Sequence, residues 1–396
     1  MSKTSLKNIF INGTFAVALV SSFGNLAHAQ IGTETITVPL SIDYNGPMIE
    51  VEVDGKPARL LYDSGASRLG LFEQSFPERL SEVSELQEGN VFGGDQRASA
   101  KLIKPVKLSW NKIEFITENP LLLDYTPFNS FSNDSPFFEG VMFTAKISNN
   151  RRESVTVFDV PNKQILHLPI GEKAKFEDSN SFKLTRKDDW QWRVKMPVMI
   201  EGETKKRTLN LIVDTGLGRS LLINRKRVPI QDKTTSYENK GVGLGGKTVT
   251  PYGGRTRVFM GEKSILINTD IIETVHSDKK VDGYIGWGFL RRFRTAFDFN
   301  KKRMVIDFKD ADLTDDEPRK SAFRAGGQPM PDWKGMRISH VGLWSSSGLQ
   351  VGDILTSVDG TRLSSTAMYS VMRNASDSPT LCWKRETSPE TCGNVE

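Results

Sequence analysis

Two short stretches each deliver a carboxylate onto a hydroxyl-glycine turn. The first reads Leu60-Leu61-Tyr62-Asp63-Ser64-Gly65 and the second Leu211-Ile212-Val213-Asp214-Thr215-Gly216, with the aspartates 151 positions apart. Two carboxylates within reach of one water can take its proton and polarise a carbonyl, the steps that amide hydrolysis needs. Like charges that close cannot both ionise, so such a pair shares one proton and its two apparent pKa values separate. Ser64 and Thr215 are candidates to hydrogen-bond across to the other half and hold the carboxylates in place. Gly65 and Gly216 let backbone approach closely in the turn. A lone Asp-Ser-Gly is only a common turn, and the duplication gives the motif its weight.

The apolar run before each aspartate reads as a buried strand. Each is preceded by a hairpin, with turns at Asp54-Gly55 and Glu201-Gly202. Downstream, Glu139-Gly140-Val141-Met142 matches Asp282-Gly283-Tyr284-Ile285, and Phe158-Asp159 matches Phe297-Asp298. Recurrence of these anchors in the same order is a repeat signal, and it implies two homologous β halves. Tyr284, Ile285 and Gly286 then form a strand behind Asp214. In the first half Phe143 stands where the repeat has Gly286, so the packing behind Asp63 must differ. Two glycine-rich hairpins are candidate lids over a cleft or plain β turns: Gly93 with Gly94, and Leu244 with Gly245 and Gly246.

A chain of 396 residues is long enough for two or three domains. With 37% hydrophobic and 26% charged residues it suits a globular protein with real cores. The formal net charge of +5 is spread out, so no nucleic-acid partner is expected. Residues 1–29 read as a secretory signal: Lys3 and Lys7 open it, an apolar core spans 9–20, and Ala27-His28-Ala29 is a small-x-small cleavage site. That core is short for a membrane span and is interrupted by Asn12 and Gly13, with an uncleaved N-terminal anchor as the alternative, and no later segment approaches spanning length. The mature protein is therefore expected to be exported, to the periplasm, with no stable membrane span. Cys382 and Cys392, the only cysteines, are expected to pair as a local disulfide of the tail. His167, His276 and His340 have no metal-ligand spacing, and no phosphate loop follows the 241–246 glycines, so no metal or organic cofactor is expected.

The stretches LLYDSGAS, LIVDTGLG and DGYIGWGFLRRF resemble the aspartic peptidases, in particular exported bacterial retropepsin-like proteins, over residues 35–308. The resemblance implies a mostly β fold of two acid-protease-type β-barrel lobes around a cleft, with Asp63 and Asp214 catalytic. It also implies an endopeptidase whose substrate is a peptide or an unfolded protein. Family members can carry a hydroxyl residue just after the Asp-Ser/Thr-Gly turn that lowers a carboxylate pKa. Here those positions are Ala66 and Leu217, which implies activity at mildly rather than strongly acidic pH. The stretch SSSGLQVGDILTSVDGTRLSS resembles the PDZ domain of exported bacterial proteases. That likeness implies a small α/β domain binding a C-terminal peptide by strand addition, with Gly335, Met336, Arg337 and Ile338 as its ligand loop and strand. A short helix is expected over 365–374. The resulting division is signal 1–29, lobes 30–172 and 173–308, linker 309–325 and PDZ-like domain 326–396. Two rivals stand beside the peptidase. One is a catalytically inactive bilobal peptide-binding protein with a PDZ module. The other is a closed precursor whose cleft is blocked by residues 30–35 or by the linker.

Overall fold

A computed structural model of the chain describes residues 35–395 apart from short stretches, the longest being 124–137, 144–154, 273–279 and 318–324. Residues 1–29, where a secretory signal is expected, lie outside the described residues. The chain is mostly β, in three sheets of 13, nine and six strands.

The strands ending in the two aspartates, Lys56–Asp63 and Arg207–Asp214, begin exposed and become buried over three consecutive residues before the carboxylate. Such continuous burial explains the unbroken apolar runs, because both faces of each strand are covered. Each lies parallel to a supporting strand, and the registers are equivalent. Leu60 faces Gly140 and Asp63 faces Phe143, while Leu211 faces Gly283 and Asp214 faces Gly286. The anchors read from the sequence repeat thus occupy matching places. A Cβ on Gly140 would sit 2.3 Å from the Gly70 carbonyl oxygen, and one on Gly283 would sit 2.0 Å from that of Leu222. Only glycine lets the antiparallel strands Gly70–Phe72 and Leu221–Asn224 close against these supports.

The halves join through one continuous run of six strands. Val155–Asp159 pairs antiparallel with Arg294–Asp298, with Val157 opposite Ala296. Gln164–His167 and Ile36–Pro39 follow outward on one side, Arg303–Asp307 and Ser179–Lys187 on the other. The arrangement has an approximate twofold axis at the Val157/Ala296 pair. Lys163 and Lys302 occupy matching left-handed turn positions, with φ 52° and 50°. Their carbonyls accept from the amides of Leu40 and Leu184 respectively. Phe158 sits at the centre, its ring 5.6 Å from Tyr62, 5.7 Å from Phe297 and 5.9 Å from Trp287.

The charged stretch expected to be a linker is, over residues 309–317, a strap docked on the second half. Asp315 accepts the Leu266 amide at 2.7 Å and Asp316 accepts the Asn268 amide at 2.7 Å. Arg257 pairs with Asp315 at 2.9 Å, and Arg292 with Asp316. Residues 264–268 lie beyond the part of Lys263–Ile272 that pairs with Leu221–Asn224. The aspartates therefore stand in for the carbonyls of a missing neighbour and cover an otherwise open sheet edge.

The C-terminal sheet has its own core around Met336, Ile338, Trp344, Leu355 and Trp383. Its SVDG stretch makes a turn at Asp359-Gly360, with φ 49° and 74°. Of the helix expected over 365–374, only Val371 and Met372 are described as helical. Cys382 and Cys392 face each other across paired strands and form the expected disulfide, with Cα atoms 4.0 Å apart.

Candidate active site

Asp63 and Asp214 end their strands side by side at the junction of the halves, with their carboxyl groups in hydrogen-bond contact. What holds them is reciprocal. The Ser64 amide donates to Thr215 Oγ1 at 2.9 Å, and the Thr215 amide donates to Ser64 Oγ at 2.9 Å. Each hydroxyl passes its own proton to a carbonyl of the opposite strand: Ser64 Oγ to Val213 O at 2.9 Å, Thr215 Oγ1 to Tyr62 O at 2.7 Å. Ser64 and Thr215 are both buried, and every donor and acceptor in the clasp is used. Only a side chain with both a donor and an acceptor in one hydroxyl serves this arrangement.

The glycines close the site crosswise. A Cβ on Gly65 would lie 2.7 Å from the Asp214 carboxyl carbon, and one on Gly216 would lie 2.5 Å from that of Asp63. A larger residue at either place would push the opposite carboxylate away. The Gly65 amide also donates to Asp63 Oδ1 at 2.6 Å, and the Leu217 amide to Asp214 Oδ1 at 3.1 Å.

Burial pushes both carboxyl groups up from their ordinary range, and Asp214 is raised further by the charge of Asp63. Backbone amides of Gly65, Ala66 and Gly216 oppose the rise at Asp63. Backbone amides of Leu217 and Gly216 oppose it likewise at Asp214, and two carboxyl groups this close share one proton.

Behind Asp214, Tyr284, Ile285 and Gly286 lie where the sequence put them. A Cβ on Gly286 would meet the carbonyl oxygens of Arg219 at 2.1 Å and Leu217 at 2.5 Å, so the loop after Asp214 folds directly over it. The ion pair of Arg219 with fully buried Asp270, at 3.0 Å, pins that loop. In the first half Phe143 holds the same register against Asp63. The connection there is one residue shorter: Gly70 opposes Val141 as Leu222 opposes Tyr284, at seven and eight positions beyond the respective aspartates. The shorter loop takes another course, so the glycine requirement falls on the second half alone.

Each aspartate turn leads into an apolar cluster, through Leu217 after Asp214 and Ala66 after Asp63. Leu217, Leu222, Ile272 and Tyr284 form one. Ala66, Leu123, Phe138 and Val141 belong to its counterpart. The Asp214 charge and burial both raise the Tyr284 hydroxyl above its ordinary range, with burial the larger cause.

The two candidate lids are both β hairpins in equivalent places, Glu88–Gly93 with Gln96–Leu102 and Thr235–Gly243 with Gly246–Met260. Gly93 and Gly246 end the tips, while Gly94, Leu244 and Gly245 lie outside the described residues. The strands Gln96–Leu102 and Gly246–Met260 approach one another.

The ligand strand expected at Gly335, Met336, Arg337 and Ile338 needs correction. Met336–Val341 is paired along both edges, with Ala325–Pro329 on one side and Ile354–Val358 on the other. Met336 and Ile338 are fully buried. A strand whose two edges are filled has no free donors or acceptors for an added peptide. Among the described residues the outer strands of this sheet are Ala325–Pro329 and Thr391–Asn394.

Sequence reading missed several residues. The acid beginning each supporting strand has a defined role: Glu139 accepts the Arg59 amide at 2.6 Å and Asp282 the Asn210 amide at 2.9 Å, four residues before each aspartate. The repeat of acid-Gly pairs was the available signal. Nothing in the sequence marked Arg219 with Asp270, or Tyr62 with His167. Among the described residues no group of three or more His, Cys, Asp and Glu side chains is gathered as a metal ion would require. In comparisons with known proteins, the chain matches no family model and no curated protein.

Proposed function

We propose that the chain is an aspartic endopeptidase of the two-lobed type, with Asp63 and Asp214 as its catalytic pair. The observation that carries this reading is the reciprocal clasp of Ser64 and Thr215, which holds two half-buried carboxyl groups against one another. Structural turns have no need of such an arrangement. Bringing two groups that repel when ionised into one site costs stability, and water activation is the use for a dyad that shares one proton.

In this reading Asp63 is the carboxylate and Asp214 carries the proton. Asp63 takes a proton from a water as its oxygen attacks the scissile carbonyl carbon, while Asp214 donates to the carbonyl oxygen. The tetrahedral intermediate collapses with breakage of the C–N bond. The proton held by Asp63 passes to the leaving nitrogen, and Asp214 recovers its own from the hydroxyl that becomes the new acid. The substrate is an extended peptide or unfolded segment lying across the two aspartates, under the two hairpins. Export to the periplasm rests on the signal-like residues 1–29 and agrees with the Cys382–Cys392 disulfide. The C-terminal sheet acts as a PDZ-like module taking an extended peptide along Ala325–Pro329.

The test is cleavage of an unfolded protein between about pH 4 and 7, beside Asp63→Asn and Asp214→Asn and with a statine-type inhibitor. Turnover lost in both variants and blocked by inhibitor supports the dyad. A folded protein that binds the inhibitor without turnover at any pH supports the peptide-binding rival instead.

A further inference from the structure

Beneath Asp63 runs a buried polar chain that the mechanism above does not use. Tyr62 Oη lies 3.4 Å from His167 Nε2, and His167 Nδ1 lies 3.2 Å from Thr156 Oγ1. All three residues are no more than 2% exposed. The chain begins on the strand that presents Asp63 and ends on Val155–Asp159, the innermost strand of the first half.

The twofold repeat provides an internal control. Tyr62 corresponds to Val213, two residues before the hydroxyl residue of each motif. Thr156 corresponds to Thr295, and His167, opposite Thr156, corresponds to Ile306, opposite Thr295. In the second half the same three places therefore hold Val213, Ile306 and Thr295, and the Thr295 hydroxyl is buried with no hydrogen-bond partner. An aliphatic pair suffices to fill this space. Burying a phenol and an imidazole there instead is costly unless they are hydrogen-bonded, and a satisfied buried network fixes position more narrowly than apolar packing does.

What the network fixes is Tyr62. Its carbonyl receives the Thr215 hydroxyl at 2.7 Å, its amide is held by the Pro47 carbonyl at 2.8 Å, and its peptide leads directly into Asp63. We propose that His167 is a positioning residue for the dyad, acting through Tyr62. By anchoring the phenol in the inter-half sheet, it sets the carbonyl that completes the Ser64/Thr215 clasp and the place of the Asp63 carboxylate. Val213, the counterpart, has no polar anchor, so the first half is the fixed side of the clasp and the second half adjusts to it. This inference rests on the peptidase reading of the dyad.

The test compares the whole mature protein with His167→Ile, Tyr62→Phe, the double variant and His167→Gln. Ile is the residue that stands at the equivalent position 306, so the fold has a precedent for it. Tyr62→Phe removes a single oxygen and serves if His167→Ile does not fold. The expected result is a fall in kcat of about tenfold for either single variant, the order that a sub-ångström misplacement of a catalytic group brings. KM should stay unchanged, and a statine-type inhibitor should bind about as much more weakly. The double variant should be no worse than the singles, and His167→Gln, which keeps a polar group near Tyr62 Oη, should recover part of the loss. Folded variants with unchanged kcat and inhibitor affinity would overturn the proposal, as would losses that simply add. If the unaltered protein neither cleaves nor binds the inhibitor, the peptidase reading fails, and this inference with it. A working protein indifferent to His167→Ile defeats this inference alone.

Discussion

The Ser64 amide donates to the Thr215 hydroxyl at 2.9 Å, and the Thr215 amide returns the same bond to the Ser64 hydroxyl at 2.9 Å. Residues 151 positions apart are thereby locked as a symmetric pair, and the two carboxylates next to them inherit that symmetry. Thr215→Val keeps the shape and removes the hydroxyl, leaving the Ser64 amide and the Tyr62 carbonyl buried without partners. The expected cost is about 2–3 kcal/mol, with a loss of activity, while Thr215→Ser should stay near the starting values. Denaturant unfolding and kcat read both effects.

Raised carboxyl pKa values have a sign for stability. The native dyad holds on to a proton above the ordinary carboxylate pKa of ~3.9, where the unfolded chain has released it. Stability contributed by this site is therefore present at low pH and falls as pH rises through that window. Asp214→Asn removes one of the two repelling charges. It should abolish turnover yet raise the unfolding midpoint at pH 7 by about 2–4 °C, with the difference vanishing towards pH 4. For activity, the shared proton requires a mildly acidic optimum, and a rate maximum near pH 2 would defeat the assignment.

Gly140 and Gly283 should not tolerate a methyl group. The nearest carbonyl oxygens would lie 2.3 and 2.0 Å from the new Cβ, and both belong to backbone. Gly283→Ala should cost about 2–3 kcal/mol through displacement of the Leu221–Asn224 strand. Thermal unfolding with inhibitor binding as the second readout checks it, since the shift reaches the loop over Gly286.

The acidic strap should be unequal along its length. Asp315 is exposed, and its carboxyl is held low chiefly by Arg257, so Asp315→Asn should change stability by less than ~1 kcal/mol. Asp316 pairs with Arg292 where both side chains are largely buried; each aspartate accepts one backbone amide, so burial is what separates them. Asp316→Ala should cost about 1–3 kcal/mol and open the strap to limited proteolysis between residues 309 and 317. Equal behaviour of the two variants would contradict this division.

Reduction of Cys382–Cys392 releases a loop of ten residues' separation. The loss should be ~2–3 kcal/mol, confined to the C-terminal sheet. Hydrogen exchange should show faster opening there and no change around Asp63 and Asp214.

The sequence by itself determined the repeat and its chemistry. Two apolar runs ending in Asp-Ser-Gly and Asp-Thr-Gly, each followed by an acid-Gly strand, specify which residues lie in equivalent places, because strand register follows from local pattern. Turn chemistry was equally legible at Asp54-Gly55 and Asp359-Gly360, where left-handed backbone selects those residue types. The disulfide followed from there being only two cysteines.

Tertiary structure alone decided the rest, since those features depend on contacts between residues far apart in the chain. The crosswise clasp, the burial that raises both carboxyls and the Arg219–Asp270 pair all arise where separate strands meet. Whether Phe143 could replace a glycine depended on a loop one residue shorter, visible only in register. The strap looked like a linker because its charges are polar by composition, and what they cover is an edge formed by another segment. The strand at Met336–Val341 looked available for a ligand because a sequence does not show which edges its neighbours fill. His167 carried no signal at all, since a lone histidine acquires meaning only from the Tyr62 and Thr156 hydroxyls brought to its two ring nitrogens.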